Sequence, residues 1–212
     1  MIVTAIDIET TGLDPDINKI TEFAAIVYDT DDPPKLDDPE NPDAPYFHFR
    51  VFHSPDVEMN WGEFAKQIQP NYYEVENFAR EFELSFGADT KIEYDSIDQL
   101  IKAKEMWYAF RRVVPADELL VHFKQFLNEN EVERVIPLGK NFPGFDLRFL
   151  RRLSYFDEIP FSHRSLDPSI FFLKPGDTQP PSLTDCLKRM GDDKPVTHNA
   201  LEDVIDTIRV FE

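Results

Sequence analysis

Residues 1–13, MIVTAIDIETTGL, set two carboxylates inside an apolar run, with Asp7 and Glu9 interrupting Ile2, Val3, Ala5, Ile6 and Ile8. A run without regular apolar–polar alternation reads as a central β-strand buried on both faces. Side chains at i and i+2 leave a strand on the same side, so Asp7 and Glu9 point one way and Ile6 and Ile8 the other. Two acids side by side near the end of a buried strand repel and resist desolvation unless positive charge lies between them. A divalent cation is the simplest source of that charge; a surface strand with two solvated acids is the plainer alternative. Thr10-Thr11-Gly12 then breaks the strand, with Gly12 free to take an unusual backbone conformation.

Outward from this stretch, a turn at Asp14-Pro15-Asp16 leads to a second strand, Ile20 to Tyr28, and Tyr46 to Phe52 alternates as a third. Three early strands predict an antiparallel meander at the start of a mixed sheet. Helical patterns cover Trp61 to Ile68, Glu76 to Phe86 and Ile97 to Phe110 in a middle region rich in aromatics. Those rings are expected to pack that region onto the rest of the chain, with base stacking as the alternative. From Pro115 to Asn130 an amphipathic helix is predicted, its buried stripe made by Leu119, Leu120, Phe123, Phe126 and Leu127. A strand over Val132 to Leu138 follows, then helices over Phe142 to Leu153, Ser182 to Met190 and Asn199 to Phe211. The pattern is that of an α/β fold with helices flanking a mixed central sheet. It is read as a single domain, 1–212, with an acidic loop at 29–45 and an insert at about 53–114.

DIETTGL, residues 7–13, resembles the first motif of the DnaQ-like 3′→5′ exonucleases, which have a ribonuclease H-like fold. GKNFPGFDLRFL, residues 139–150, is similar to the second motif through Asn141, Phe145, Asp146 and Phe149-Leu150. Pro143 is tolerated in a first helical turn, which puts Asp146 early in the helix. HNALED, residues 198–203, matches the third motif, a His followed five residues later by an Asp, and SLTDCLKRMG, residues 182–191, is similar to the helix before it. Five residues along a helix turn through roughly 500°, so His198 and Asp203 cannot share a face if both are helical. With Asn199 as N-cap and Glu202 three residues on, His198 falls at N′ and Asp203 at N4, positions that meet where a helix begins. The histidine identifies the DEDDh branch of the family. The resemblance covers the first strands and residues 116–212, and leaves the middle unassigned.

The resemblance implies that Asp7, Glu9, Asp146 and Asp203 hold two divalent ions, Mg²⁺ or Mn²⁺, with His198 as general base. In two-metal sites the ions lie about 3.5–4 Å apart, one activating water and the other stabilising the leaving oxygen. It also implies hydrolysis of DNA or RNA from the 3′ end to nucleoside 5′-monophosphates. Leu13 and the backbone around Thr10 and Thr11 would meet the terminal nucleotide, with Asn141 a further candidate. A polymerase or another replication or repair protein is a conceivable partner. Arg148, Arg151 and Arg152 would receive the phosphate backbone, or form an ordinary exposed helix face. Asp167 aligns as a secondary acidic position and reads rather as structural.

Composition bounds these expectations. Forty-one acids against 22 Lys plus Arg give a net charge of −19. Such a field disfavours wrapping a long phosphate polymer and suits a short, single-stranded 3′ end held by local positive groups and metals. One cysteine, Cys186, excludes an intrachain disulfide and fits a reducing compartment. The absence of a long apolar stretch and of a basic leader predicts a cytoplasmic protein with no membrane partner. Two other readings remain: a non-catalytic interaction module, and an acidic mimic of DNA, for which the charge is apt but the three ordered motifs are not needed.

Overall fold

The computed structural model describes residues 1–34, 36, 46–54, 57–69, 113–193 and 197–212. The helices expected over Glu76–Phe86 and Ile97–Phe110, and most of the acidic loop and of the insert, lie outside the described residues. Strand β1 (Ile2–Thr10) pairs antiparallel with β2 (Ile20–Asp29), and β2 pairs antiparallel with β3 (Tyr46–Phe52). This is the meander expected from the sequence. β4 (Val113–Pro115) lies parallel to β3, and β5 (Pro137–Leu138) lies parallel to β1. The sheet order is β4-β3-β2-β1-β5. β1 is therefore an interior strand, between β2 and the short β5, as its apolar character suggests.

The two faces of β1 enter different cores. Ile6 and Ile8 join Phe23, Phe47, Leu119, Leu120 and Phe123 beneath helix α2 (Leu119–Glu129). Phe23 meets Phe123 edge-on at 4.9 Å and Phe47 at 5.4 Å, the geometry that the ring quadrupole favours. Val3 and Ala5 face the other way, with Ala24, Ile26 and Leu138, against Ala200, Leu201, Val204 and Ile208 of helix α5 (Ala200–Phe211). Helix α4 (Leu183–Met190) opens with a complete capping box between Ser182 and Asp185 and ends at Gly191, whose φ is 91°. No helix among the described residues is long and apolar enough to cross a membrane.

Several expected boundaries differ. The strand β4 falls where the sequence suggested the end of the insert and the start of a helix, because three residues are too short to show a period. Pro115 closes this edge strand, where its missing N–H costs no ladder bond, and Ala116 N–H then donates to Phe52 O at 2.8 Å. The expected strand 132–138 shrinks to Pro137–Leu138. Val135 instead hydrogen-bonds the segment 160–162, donating to Pro160 O at 3.0 Å and accepting from Ser162 N–H at 2.7 Å. The expected helix 142–153 is reduced to α3 (Asp146–Leu150), with Pro143 and Gly144 held in a preceding turn and Asn141 at φ 54°. The expected helix 61–68 becomes α1 (Glu63–Ile68), which starts after Gly62.

Two glycines are needed for space. A Cβ at Gly139 would come within 2.9 Å of Ile6 O, so only glycine lets the chain leaving β5 lie against β1. Gly12 was free to take an unusual backbone conformation, but its φ is not positive. Its constraint is instead the buried Asn18 side chain, 2.6 Å from where a Cβ would sit.

Candidate active site

The site forms at the end of β1 that runs on past β5. The β1–β2 ladder sets Asp7 opposite Ala24 and Glu9 opposite Glu22, then slips, so that Thr10 pairs with Ile20 and Thr21 is left as an extra residue. Bulges of this kind re-aim side chains and collect beside functional sites. The buried Thr21 hydroxyl donates to Gln69 Oε1 at 2.8 Å, and Gln69 Nε2 donates to Glu9 Oε2 at 3.2 Å and to Thr10 O at 3.1 Å. Glu9 is thus held by a residue just beyond α1. On the other side of β1, β5 has already stopped at Leu138. The Asp146 carboxylate, on the first residue of α3, accepts from the Ile8 amide beyond that point.

The third contribution comes from α5. Asn199 is the N-cap, its side chain accepting from Glu202 N–H at 3.1 Å, as the sequence predicted. The Glu202 side chain accepts from Thr197 Oγ1 at 2.9 Å. His198 precedes the cap with φ 54°, a left-handed conformation uncommon outside glycine. Asp203, the fourth residue of α5, is buried. One ligand atom each from Glu9, His198 and Asp203 lies within 4.8 Å of the others.

The electrostatics are those of crowded acids. Burial first, and then the charges of Asp146, Asp203, Glu9 and Glu22, hold the Asp7 carboxyl well above the usual range. Burial, with Asp203, Glu22 and Asp146 close by, pushes Glu9 up to about 8. Burial likewise raises Asp146 to about 7, against the pull of the Ile8 amide and its own. Among the described residues, the charges bearing on Glu9 are all negative. Asp146 Oδ1 is buried with no hydrogen-bond partner among them. Hard oxygen donors, a nearby imidazole and an unsatisfied carboxylate oxygen fit one or more hard divalent cations.

The other expected site residues divide. Leu13 is 77% exposed beside this end of β1 and offers a free apolar surface. Thr10 and Thr11 are buried and engaged within the protein. Thr10 Oγ1 donates to Gly12 O, and Thr11 Oγ1 accepts from Lys19 N–H. Their carbonyls accept from Gln69 and from Gly62. Asn141 is exposed, and its backbone N–H donates to Asp167 Oδ2 at 3.0 Å. Asp167 caps the 3₁₀ turn Pro168–Phe172 by accepting from Ser169, the structural role the sequence favoured. Arg152 pairs with Asp16. Three residues at the site were not foreseen: Glu22, Gln69 and Phe64. An acid inside the apolar strand ITEFAAIVY was a signal for Glu22; Gln69 and Phe64 carried none. Phe64 is 65% exposed and stands edge-on to His198, with ring centroids 6.1 Å apart.

No protein-family model matches the sequence, and neither does any curated protein. Solved structures do resemble it. Escherichia coli exonuclease I in complex with a 5cy-dA13 oligonucleotide superposes with a TM-score of 0.54 at 15% identity, covering 98% of this chain and 39% of that one. Exonuclease I from Methylocaldum szegediense gives 0.56 at 17% identity, covering 99% and 39%. The nuclease domain of 3′hExo, a DEDDh family member bound to rAMP, gives 0.54 at 17% identity, covering 99% and 88%. The chain thus spans about two fifths of the length of the exonuclease I chains. The likeness, over nearly the whole of this chain, gives it the ribonuclease H-like fold of these exonucleases.

Proposed function

We propose that this chain is a divalent-metal-dependent 3′→5′ exonuclease of the DEDDh kind, with residues 1–212 serving as one catalytic domain. It would release nucleoside 5′-monophosphates from the 3′ end of single-stranded DNA or RNA. The observation that carries this reading is the meeting of Glu9, His198 and Asp203 within 4.8 Å, in a field where Asp146 bears on Glu9 and both bear on Asp7. The likeness to exonuclease I solved with single-stranded oligonucleotides supports the substrate class.

Asp7, Glu9, Asp146 and Asp203 would hold two Mg²⁺ or Mn²⁺ ions. Bound there, such ions would acidify an attacking water and stabilise the leaving 3′ oxygen. The chain's own residues do the rest. His198 stands beside Glu9 and Asp203 and accepts the proton of the attacking water, a task suited to an imidazole at neutral pH. The exposed side chains of Leu13 and Phe64 receive the terminal nucleotide, Phe64 from beside the imidazole. Gln69 keeps Glu9 in one orientation.

Digestion of 5′-labelled single-stranded DNA, single-stranded RNA and duplex, with Mg²⁺ or Mn²⁺ and with chelator, tests this. The expected result is a metal-dependent ladder shortening from the 3′ end, absent with chelator, which also selects between DNA and RNA. Failure of the wild-type chain to cleave any of them would overturn the reading in favour of a non-catalytic binding module.

A further inference from the structure

One buried acid at the site has no part in the chemistry above. Glu22 is 5% exposed and sits directly across the ladder from Glu9, on the face that carries Asp7 and Glu9. Like charges so placed are unfavourable unless donors compensate them. Glu22 has three. His48 Nε2 lies 2.5 Å from Oε1, Asn199 Nδ2 donates to Oε1 at 3.2 Å, and the Ala200 amide donates to Oε2 at 3.4 Å. Ala200 opens α5, so the carboxylate also takes up one of the free amides of that helix end.

Asn199 is consequently fixed at both ends of its amide. Its Oδ1 accepts from Glu202 N–H and its Nδ2 donates to Glu22. It stands between His198, whose φ is 54°, and the helix bearing Asp203. A left-handed non-glycine residue persists only where its surroundings over-determine it. We propose that Glu22 is a positioning residue: by holding Asn199 and the Ala200 amide it locks the turn at His198, so that His198 and Asp203 address Glu9 together. Its oxygens are spent on these donors and do not ligate a cation. The kinetic consequence rests on the nuclease reading; the structural one does not.

The hydrogen bond can be reversed. Asn199→Asp preserves the N-cap acceptor but sets a carboxylate against Glu22. Adding Glu22→Gln supplies a side-chain donor to that carboxylate, and His48 can change tautomer to suit. For Asn199→Asp in the full chain, kcat on a single-stranded oligonucleotide with Mn²⁺ should fall about tenfold or more, with KM little changed. Amide exchange over residues 198–203 should accelerate, and Mn²⁺ stoichiometry by calorimetry should stay as in the wild type. Glu22→Gln/Asn199→Asp should recover kcat and exchange protection to within about threefold of the wild type, the signature of a direct pair. A double variant as impaired as Asn199→Asp, or a loss of bound Mn²⁺ in Glu22→Gln alone, would overturn the proposal. If the wild-type chain cleaves nothing, the nuclease reading fails, and amide exchange alone still decides for or against Glu22.

Discussion

Asp177 faces Arg189 across hydrogen bonds of 2.7 and 2.9 Å, and this pairing draws its carboxyl down to about 2. Glu9 faces Asp203, Glu22 and Asp146, and burial among those charges pushes it up to about 8. The first carboxylate has its countercharge within the chain and serves to pin the segment before α4. Among the described residues the charges bearing on the second are all negative, which is why we propose a bound cation as its countercharge. Buried acids gathered without a cationic side chain cost stability, and such an arrangement marks a functional site more often than a structural one. The contrast separates acids that hold the fold together from acids that the fold holds in readiness.

That separation can be broken most decisively at Asp203. Asp203→Asn, nearly isosteric, should lower kcat on a single-stranded oligonucleotide on the order of 10³-fold while the thermal midpoint without metal holds or rises. A variant with full activity would place the chemistry elsewhere. His198→Ala should cost about 10²-fold in kcat, the range for a lost general base, with Mn²⁺ affinity far less affected. Gln69→Ala removes the side-chain amide that orients Glu9 and should cost about tenfold in metal affinity, read by Mn²⁺ titration.

The two acid groups also respond oppositely to pH. Glu9 and Asp146 keep their protons more tightly in the folded chain than in the unfolded one, where carboxyls titrate near pH 4. Without metal, the fold should therefore lose stability as pH rises from about 4 to about 8, and the thermal midpoint in chelator should fall over that window and level off above it. Mg²⁺ should reverse most of that fall. A midpoint flat in pH with chelator present would mean that the acids are not crowded in solution. Asp177 contributes in the opposite sense, its share present above the ordinary carboxylate range and fading as pH drops toward 2. Asp177→Ala is the smallest effect: a midpoint lowered by a few degrees or less, with kcat unchanged.

What could be read from the sequence follows from how local each feature is. Asp7 and Glu9 stood out because an acid in an apolar strand breaks a pattern within a few residues, and Asn199 because an N-cap is defined by its own turn. α2 was legible from its stripe, all five residues of which are buried. Gln69 was not legible, because its bond to Glu9 joins residues 60 apart and depends on a one-residue slip in the β1–β2 ladder. Nor was the role of Glu22, whose partner Asn199 is 177 residues away. Short pieces such as β4 and β5 carry too few residues to show a period, and the turn at 141–145 cut α3 short where apolar spacing alone suggested a longer helix. The backbone around Thr10 and Thr11 was expected, through the family resemblance, to meet the terminal nucleotide; in the structure these two residues bond to Gly12, Lys19, Gly62 and Gln69, partners that no local pattern announced.

The most direct measurement is calorimetric titration of the chelator-stripped chain with Mn²⁺ near pH 7, in buffers of different ionisation enthalpy, for the wild type and Asp7→Asn. A cation entering a cluster of carboxyls raised toward neutrality must expel protons. The expected result is saturable binding with a buffer-dependent heat, abolished or greatly weakened in Asp7→Asn. Absence of binding to the wild type, or binding that Asp7→Asn leaves untouched, would contradict the assignment of this cluster as a metal centre.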